Sequence, residues 1–349
     1  MIFMGINLLL SFVMPTRNRG DKLRPVLNAA AEVFGKMPDI EFIVVDNGSA
    51  DVTAKIVGDL IQNFRNFSYI YEPVPGLLAG RHAGWNAARG DVIVFLDDDV
   101  IVSKNIVAAY CETFSQPDVG LAGGNCFALF ESAPPTWLSL LWELNANGQR
   151  FLPELSILEF PDKNPICHDP YLVWGCNFAV RKTVLEEAEG FHPDGYPFDL
   201  IRFRGDGETH VATIAKRNRW KTIFHPDASV HHMVSTDRMT LDYIKKRAFS
   251  EGVSNSYSEL RRKYLHKHDN EKRIAKYFIH SLSKFEHKQT KVKPDFFLEQ
   301  EQNFGDFQSF VAFWKSKGRE YHQAAFNTDK RLREWVLQKN YLTSSIPEL

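Results

Sequence analysis

The sequence predicts an α/β fold in which a mainly parallel β-sheet is flanked by helices and followed by a helical C-terminal extension. Three observations carry that expectation. Across the first hundred residues, short β-branched apolar runs alternate with stretches of helical periodicity, the pattern of strand-helix-strand units with a sheet covered on both faces. Polar clusters at residues 16–18, 46–49 and 97–99 follow directly on apolar runs, and ligands of such sheets sit at the carboxyl ends of the strands. From residue 241 onward the pattern is helical and basic.

In order, residues 8–14 are a continuous apolar run ended by Pro15, and residues 23–34 carry apolar positions at helical spacing. Residues 41–45 form a second strand before the turn Asp46-Asn47-Gly48-Ser49, and residues 52–64 a second helix. A strand over 68–71, a helix over 78–88 and a strongly apolar strand over 92–96 complete the first half, residues 1–119. Residues 120–170 read as a long wall over the site, with a helix in the aromatic piece 137–144. A strand within 172–180, helices over 182–188 and 207–218, and a strand over 220–224 finish the second half, residues 120–240. The extension spans 241–349 and holds a last amphipathic helix near 329–339.

Composition narrows the classes. A hydrophobic fraction of 44% and a charged fraction of 24% are ordinary for a globular chain. Net charge is −1, yet residues 242–293 hold 14 Lys/Arg against 6 Asp/Glu. That block is a solvated helical face or a peripheral contact for an anionic membrane. It contains no recognised nucleic-acid module, so nucleic-acid binding is not expected. Cys111, Cys126, Cys167 and Cys176 lack metal or redox spacing and fit reduced thiols of a cytoplasmic protein. No stretch approaches the roughly 20 apolar residues that span a bilayer, and the N-terminal apolar run lacks the flanks of a signal peptide.

Asp97, Asp98 and Asp99 directly follow the apolar run Val92-Ile93-Val94-Phe95-Leu96. Three adjacent carboxylates repel one another unless a cation or well-placed donors compensate them. A hard divalent ion does so, and it also bridges the phosphates of a nucleotide. Alone, the motif also fits a Mg²⁺-dependent phosphatase of haloacid-dehalogenase type, with Asp97 as nucleophile, or simple capping of a following helix.

The wider sequence resembles family-2 glycosyltransferases of the Rossmann-like GT-A fold. Met14-Pro15-Thr16-Arg17-Asn18 is similar to that family's first strand and nucleotide-contacting turn, and Val44-Val45-Asp46-Asn47-Gly48-Ser49 to its second-strand signature. Gly76-Leu77 through Arg81, and Ala83-Gly84-Trp85-Asn86, resemble the helix leading into the acidic strand, with His82 where many members have Asn. Gly175-Cys176-Asn177-Phe178 and Gly190-Phe191-His192 resemble the acceptor side; Asp206-Gly207-Glu208 stands where members carry two adjacent acids, and Pro226 to His231-His232 resembles a metal- or diphosphate-contacting segment.

The resemblance implies an inverting transferase that moves a sugar from a nucleoside diphosphate, with UDP favoured, to a hydroxyl of a glycan or lipid-linked acceptor. Pro15, Thr16, Arg17, Asp46, Asn47, Arg81, Asp97 and Asp98 would line the nucleotide, and Asp99 with His232 (His231 second) would bind Mn²⁺ or Mg²⁺. Glu208, with Asp206 as runner-up, would be the base that an attacking hydroxyl needs. A silent nucleotide- or glycan-binding protein is the remaining alternative. Trp137, Trp142 and Trp174 read as wall residues or as sugar-stacking platforms.

Overall fold

Residues 8–265 and 307–342 are described in the computed structural model of the chain. Strands β1 (Leu10–Thr16) and β2 (Ile40–Asp46) are buried along their whole lengths, which is why they read as unbroken apolar runs rather than alternating ones. They pair in parallel with Thr16 opposite Asp46. On its other edge β1 pairs in parallel with β4 (Val92–Leu96), and β2 does so with β3 (Phe67–Tyr71). The polar clusters after β1, β2 and β4 therefore meet along one sheet edge, as expected.

Helices α1 (Leu23–Phe34), α2 (Thr53–Ile61) and α3 (Leu77–Ala87) make the crossovers. Helix α3 lies very close to the sheet. A Cβ at Gly84 would collide with Val13, and one at Gly80 would stand 3.0 Å from Pro15 Cβ. Two glycines four residues apart share one helical face, so the pair lets Arg81 approach the strand ends.

Strand β12 (Asn177–Arg181) runs antiparallel between β4 and β6 (Val119–Gly123), and β11 (Ile166–Cys167) is antiparallel to β13 (Lys221–Phe224). Parallel pairing thus dominates the first half, and β13 returns to it beside β6. Periodicity did not reveal a second sheet, with the order β5 (Val100–Val102), β14 (Val230–Val234), β7 (Cys126–Phe130), β10 (Ile157–Glu159), β9 (Arg150–Leu152), β8 (Glu143–Leu144). Four of its six strands, β5, β8, β9 and β10, have only two or three residues, too few to show an alternation. The expected helix at 137–144 is instead a 3₁₀ turn, Thr136–Leu141, that runs into β8. The second sheet matters for the site because β14 lies antiparallel to β5 and sets His232 opposite Val100, one residue past Asp99.

Helix α7 (Leu241–Leu265) crosses the helix Phe307–Thr328 with Gly252 and Gly318 at the contact; a Cβ at Gly252 would run into the carbonyl of Lys315, and one at Gly318 into that of Phe249. The extension is also tied to the rest of the chain. Trp335 Nε1 donates to the Phe203 carbonyl at 2.8 Å, and Ser258 Oγ donates to Asp206 at 2.7 Å. Of the basic block, 242–265 is described and 266–293 lies outside the described residues.

Gly252→Val should lower stability by about 1–3 kcal/mol, the usual cost of overpacking. Thermal denaturation measures it, and an unchanged melting temperature would contradict the close crossing.

Candidate active site

Each carboxylate of the acidic triplet meets a different environment. Asp98 accepts from Thr16 Oγ1 at 2.7 Å and from Arg19 Nε at 2.7 Å. Asp99 is buried and is shared among three partners. Arg19 NH2 lies 2.7 Å and Arg238 NH2 2.8 Å from its Oδ2, while His232 Nε2 lies 3.2 Å from its Oδ1. Burial pushes the Asp99 pKa up, but His232, Arg238 and Arg19 more than offset it and hold the carboxyl below the ordinary carboxylate range. Asp97 goes the other way. Burial, then the charge of Asp99, outweigh Arg81 and His232 and raise it to about 6.

The donors hold Asp99 ionised at the end of β4, and His232 adds a second candidate ligand. Its Nε2 faces both Asp99 Oδ1, an acceptor, and Arg238 NH1, a donor 2.9 Å away. One ring nitrogen cannot satisfy both in any single protonation state. The buried Nδ1 has no hydrogen-bond partner. A carboxylate oxygen and an imidazole nitrogen this close form a donor set that suits a divalent cation of the Mn²⁺ kind. Among the described residues no larger cluster of His, Cys, Asp or Glu is assembled for a metal, so further ligands would have to come from substrate or water.

Glu208 opens helix α6 (Glu208–Arg217), immediately after Gly207, whose φ of 51° favours glycine. Its Oε1 accepts from the Gly175 N–H at 3.0 Å and its Oε2 from Arg81 NH1 at 3.1 Å. Arg81 is buried. Desolvation alone would lower its pKa, but Glu208, Asp97 and Asp194 reverse that. Arg81 is thus the electrostatic link between Glu208 and the triplet. The Glu208 side chain keeps 24% of its surface exposed, so it can still meet a hydroxyl. On α7, Arg247 faces the same region: burial lowers its pKa, and Tyr243, Asp194, Glu251 and Glu208 raise it.

Other expected site residues are placed as follows. Pro15 and Thr16 end β1. Arg17 is exposed, and the guanidinium that reaches the triplet from this turn belongs to Arg19, two residues on. Asp46 is fully buried and accepts from the Ser49 N–H and the Tyr69 hydroxyl, each at 2.8 Å. Asn47 braces the loop before α3 by accepting from the Gly76 N–H at 2.8 Å and donating to the Glu72 and Val74 carbonyls. Asp206 turns away from Glu208 and bonds to His192 Nδ1 and Ser258 Oγ, each at 2.7 Å. His231 is exposed on β14 beside Phe127. His82, the departure from the usual Asn, accepts from the Phe191 N–H at 2.9 Å and so fixes the Gly190 turn. Trp137 stacks on Phe307, and Trp142 lies under the Arg150 guanidinium. Sequence reasoning missed Arg19 and Arg238; the local signal for the first was a second basic residue in the turn after β1.

The family model described as Glycosyl transferase family 2 matches residues 11–188, just over half of the 349-residue chain. The chain belongs to that family. The relatives include the glycosyltransferase AglE of Haloferax volcanii, 29% identical over 116 residues, or 33% of this chain and 38% of AglE. The uncharacterized glycosyltransferase EpsJ of Bacillus subtilis is 23% identical over 192 residues, or 54% of this chain and 51% of EpsJ. The chain therefore matches about half or less of the length of these relatives. Among solved structures, the mannosyltransferase PcManGT from Pyrobaculum calidifontis in complex with GDP-Man and Mn²⁺ aligns with a TM-score of 0.49 at 16% identity, covering 96% of this chain and 85% of that one. Family membership sets aside the phosphatase reading of the acidic motif.

The opposed titrations in the triplet have a testable sign. Asp97 binds its proton more tightly folded than unfolded, so it costs stability as pH rises from about 4 to 6 and the cost is fully present above that. Asp97→Asn should gain stability relative to wild type across this window. Melting temperatures at pH 4 and pH 7 test this; a difference that does not grow with pH would contradict the desolvated carboxyl.

Proposed function

We propose that this chain is an inverting, metal-dependent transferase that moves a sugar from a nucleoside diphosphate, with UDP as the preferred nucleotide, to a hydroxyl of a glycan or lipid-linked acceptor. The observation that carries the reading is the pairing of Asp99 with His232 at the sheet edge where Thr16, Asp46 and the triplet meet. Glu208 is held by Arg81 and the Gly175 N–H.

In this reading Asp99 and His232 hold the divalent cation, and Asp98 is kept in place by Thr16 and Arg19. The cation, when bound, stabilises the charge that develops on the departing diphosphate. Asp46 and Asn47 shape the nucleotide end from buried, fully bonded positions. Glu208 takes the proton of the attacking hydroxyl. Each of its oxygens has one partner and retains a lone pair, so the same contacts that orient it leave it able to act. Glu208 is favoured over Asp206 because it shares Arg81 with Asp97 of the triplet, whereas Asp206 joins His192 to α7. The basic block remains a proposed peripheral contact with an anionic membrane; within 242–265, Arg261 donates to the Val336 and Gln338 carbonyls and Lys246 pairs with Asp242.

Glu208→Gln should lower transfer by about 10²–10⁴-fold, the range for a lost general base, while UDP still stabilises the protein in the presence of Mn²⁺. Retained transfer in this variant would remove Glu208 from the role. A wild-type protein that binds but neither transfers nor hydrolyses any donor would be a silent binder. Asp206→Ala should instead cost about 1–3 kcal/mol of stability through the unpaired His192 and Ser258, read by denaturant unfolding.

Thermal shift against a panel of nucleoside diphosphates tests ligand class. A ligand at a hundred times its Kd stabilises by about 2.7 kcal/mol, and the largest shift should require Mn²⁺ together with UDP. No metal-dependent shift with any nucleotide would overturn the proposal.

A further inference from the structure

The two guanidiniums at the triplet form a second, anion-directed half of the site. Arg19 comes from the turn after β1, and Arg238 closes the 3₁₀ turn Thr236–Arg238 just ahead of α7. Their side chains keep 27% and 22% of their surface exposed, against 11% for each of Asp98 and Asp99. Both are thus anchored on the carboxylates at one side and open at the other. They are carried by short turns rather than by strands, and only long flexible side chains tie them to the acids.

Formal charge decides what this arrangement accepts. Two carboxylates and two guanidiniums cancel. A divalent cation added alone meets two fixed positive charges a few ångströms away, and a diphosphate added alone meets two carboxylates. The group is neutral again only when both arrive, since the two charges of the diphosphate in a nucleotide-sugar match those of the cation. The mismatch at His232 Nε2 points the same way: the Arg238 guanidinium spans both candidate ligands, with NH1 2.9 Å from His232 Nε2 and NH2 2.8 Å from Asp99 Oδ2. Guanidinium forks pair with phosphate oxygens as readily as with carboxylates, so the freed arginines have a partner of equal chemistry.

We infer that Arg19 and Arg238 are exchange ligands: they neutralise Asp98 and Asp99 in the empty protein, and they transfer to the donor's diphosphate when a divalent cation takes the carboxylates. The inference rests on the metal-dependent reading above and adds the diphosphate subsite and its coupling to the metal. No covalent step is involved. Coupling of this kind is reciprocal, so the cation and the nucleotide must each raise the affinity for the other by the same factor.

Calorimetric titration of the full-length protein with Mn²⁺ alone, UDP alone and UDP in excess Mn²⁺ tests the inference, with Arg238→Gln and Arg19→Gln in parallel. Arg238→Gln should bind Mn²⁺ alone at least about tenfold more tightly than wild type and bind UDP in Mn²⁺ at least about tenfold more weakly, the scale of one charge-assisted hydrogen bond. Arg19→Gln should shift both affinities in the same directions, which keeps the test decisive if one variant folds poorly. Arg238→Lys keeps the charge and should leave the affinity for Mn²⁺ alone near the wild-type value. Unchanged or weaker binding of Mn²⁺ alone by both Gln variants, with wild type binding UDP and Mn²⁺ together, would overturn the exchange and leave the proposed function standing. Absence of any nucleotide binding by wild type in Mn²⁺ would overturn both.

Discussion

Three consecutive carboxylates at the end of a buried strand must be compensated, and the surrounding structure supplies that compensation from four directions. Arg19 comes from the turn after β1, His232 from β14, Arg238 from the turn before α7, and Arg81 from α3 by way of Asp97. The result is uneven. Asp99 is held ionised by three partners, whereas Asp97 is pushed toward neutrality by its buried position and its neighbour's charge. Uneven titration within a carboxylate cluster is how one site separates a charge-holding residue from a supporting one.

That constraint organises the larger architecture. The second sheet exists, in effect, to carry β14 past β5, because the register of His232 against Val100 is what brings an imidazole to Asp99. The Gly80 and Gly84 face of α3 brings Arg81 down onto the strand ends. Helix α7 begins directly after Arg238 and, five turns later, bonds Asp206 through Ser258. Helix α7 is therefore joined to the Asp206 turn through Ser258, and the turn ahead of it carries Arg238 to the triplet.

Much of this was legible in the sequence, for identifiable reasons. The parallel strands declared themselves because burial on both faces leaves only apolar residues, and their polar ends marked the sheet edge. Glu208 and His232 were reachable through family resemblance; the structure sets Glu208 beside Arg81 and His232 beside Asp99. The second sheet was not legible: strands such as Glu143–Leu144 and Arg150–Leu152 are too short to show a period. Nor were Arg19 and Arg238, because nothing local distinguishes an arginine that will meet a carboxylate some eighty or more residues away from one that will face water. Arg17 carried the family resemblance and Arg19 did not; the turn, with Asn18 at a φ of 51°, leaves Arg17 exposed and brings Arg19 to the triplet. Asp206 stood second to Glu208 in the sequence; a glycine with positive φ separates the two acids, and they take different partners.

In the proposed site, Asp99 and His232 hold a divalent cation beside a nucleotide diphosphate. Anomalous scattering from crystals grown with Mn²⁺ and UDP tests it most directly. The expected result is one manganese peak in contact with both Asp99 and His232 and with the diphosphate, and with Arg238 moved off Asp99. Manganese bound elsewhere, or UDP bound with Arg238 still on Asp99 and no metal between the two residues, would contradict it.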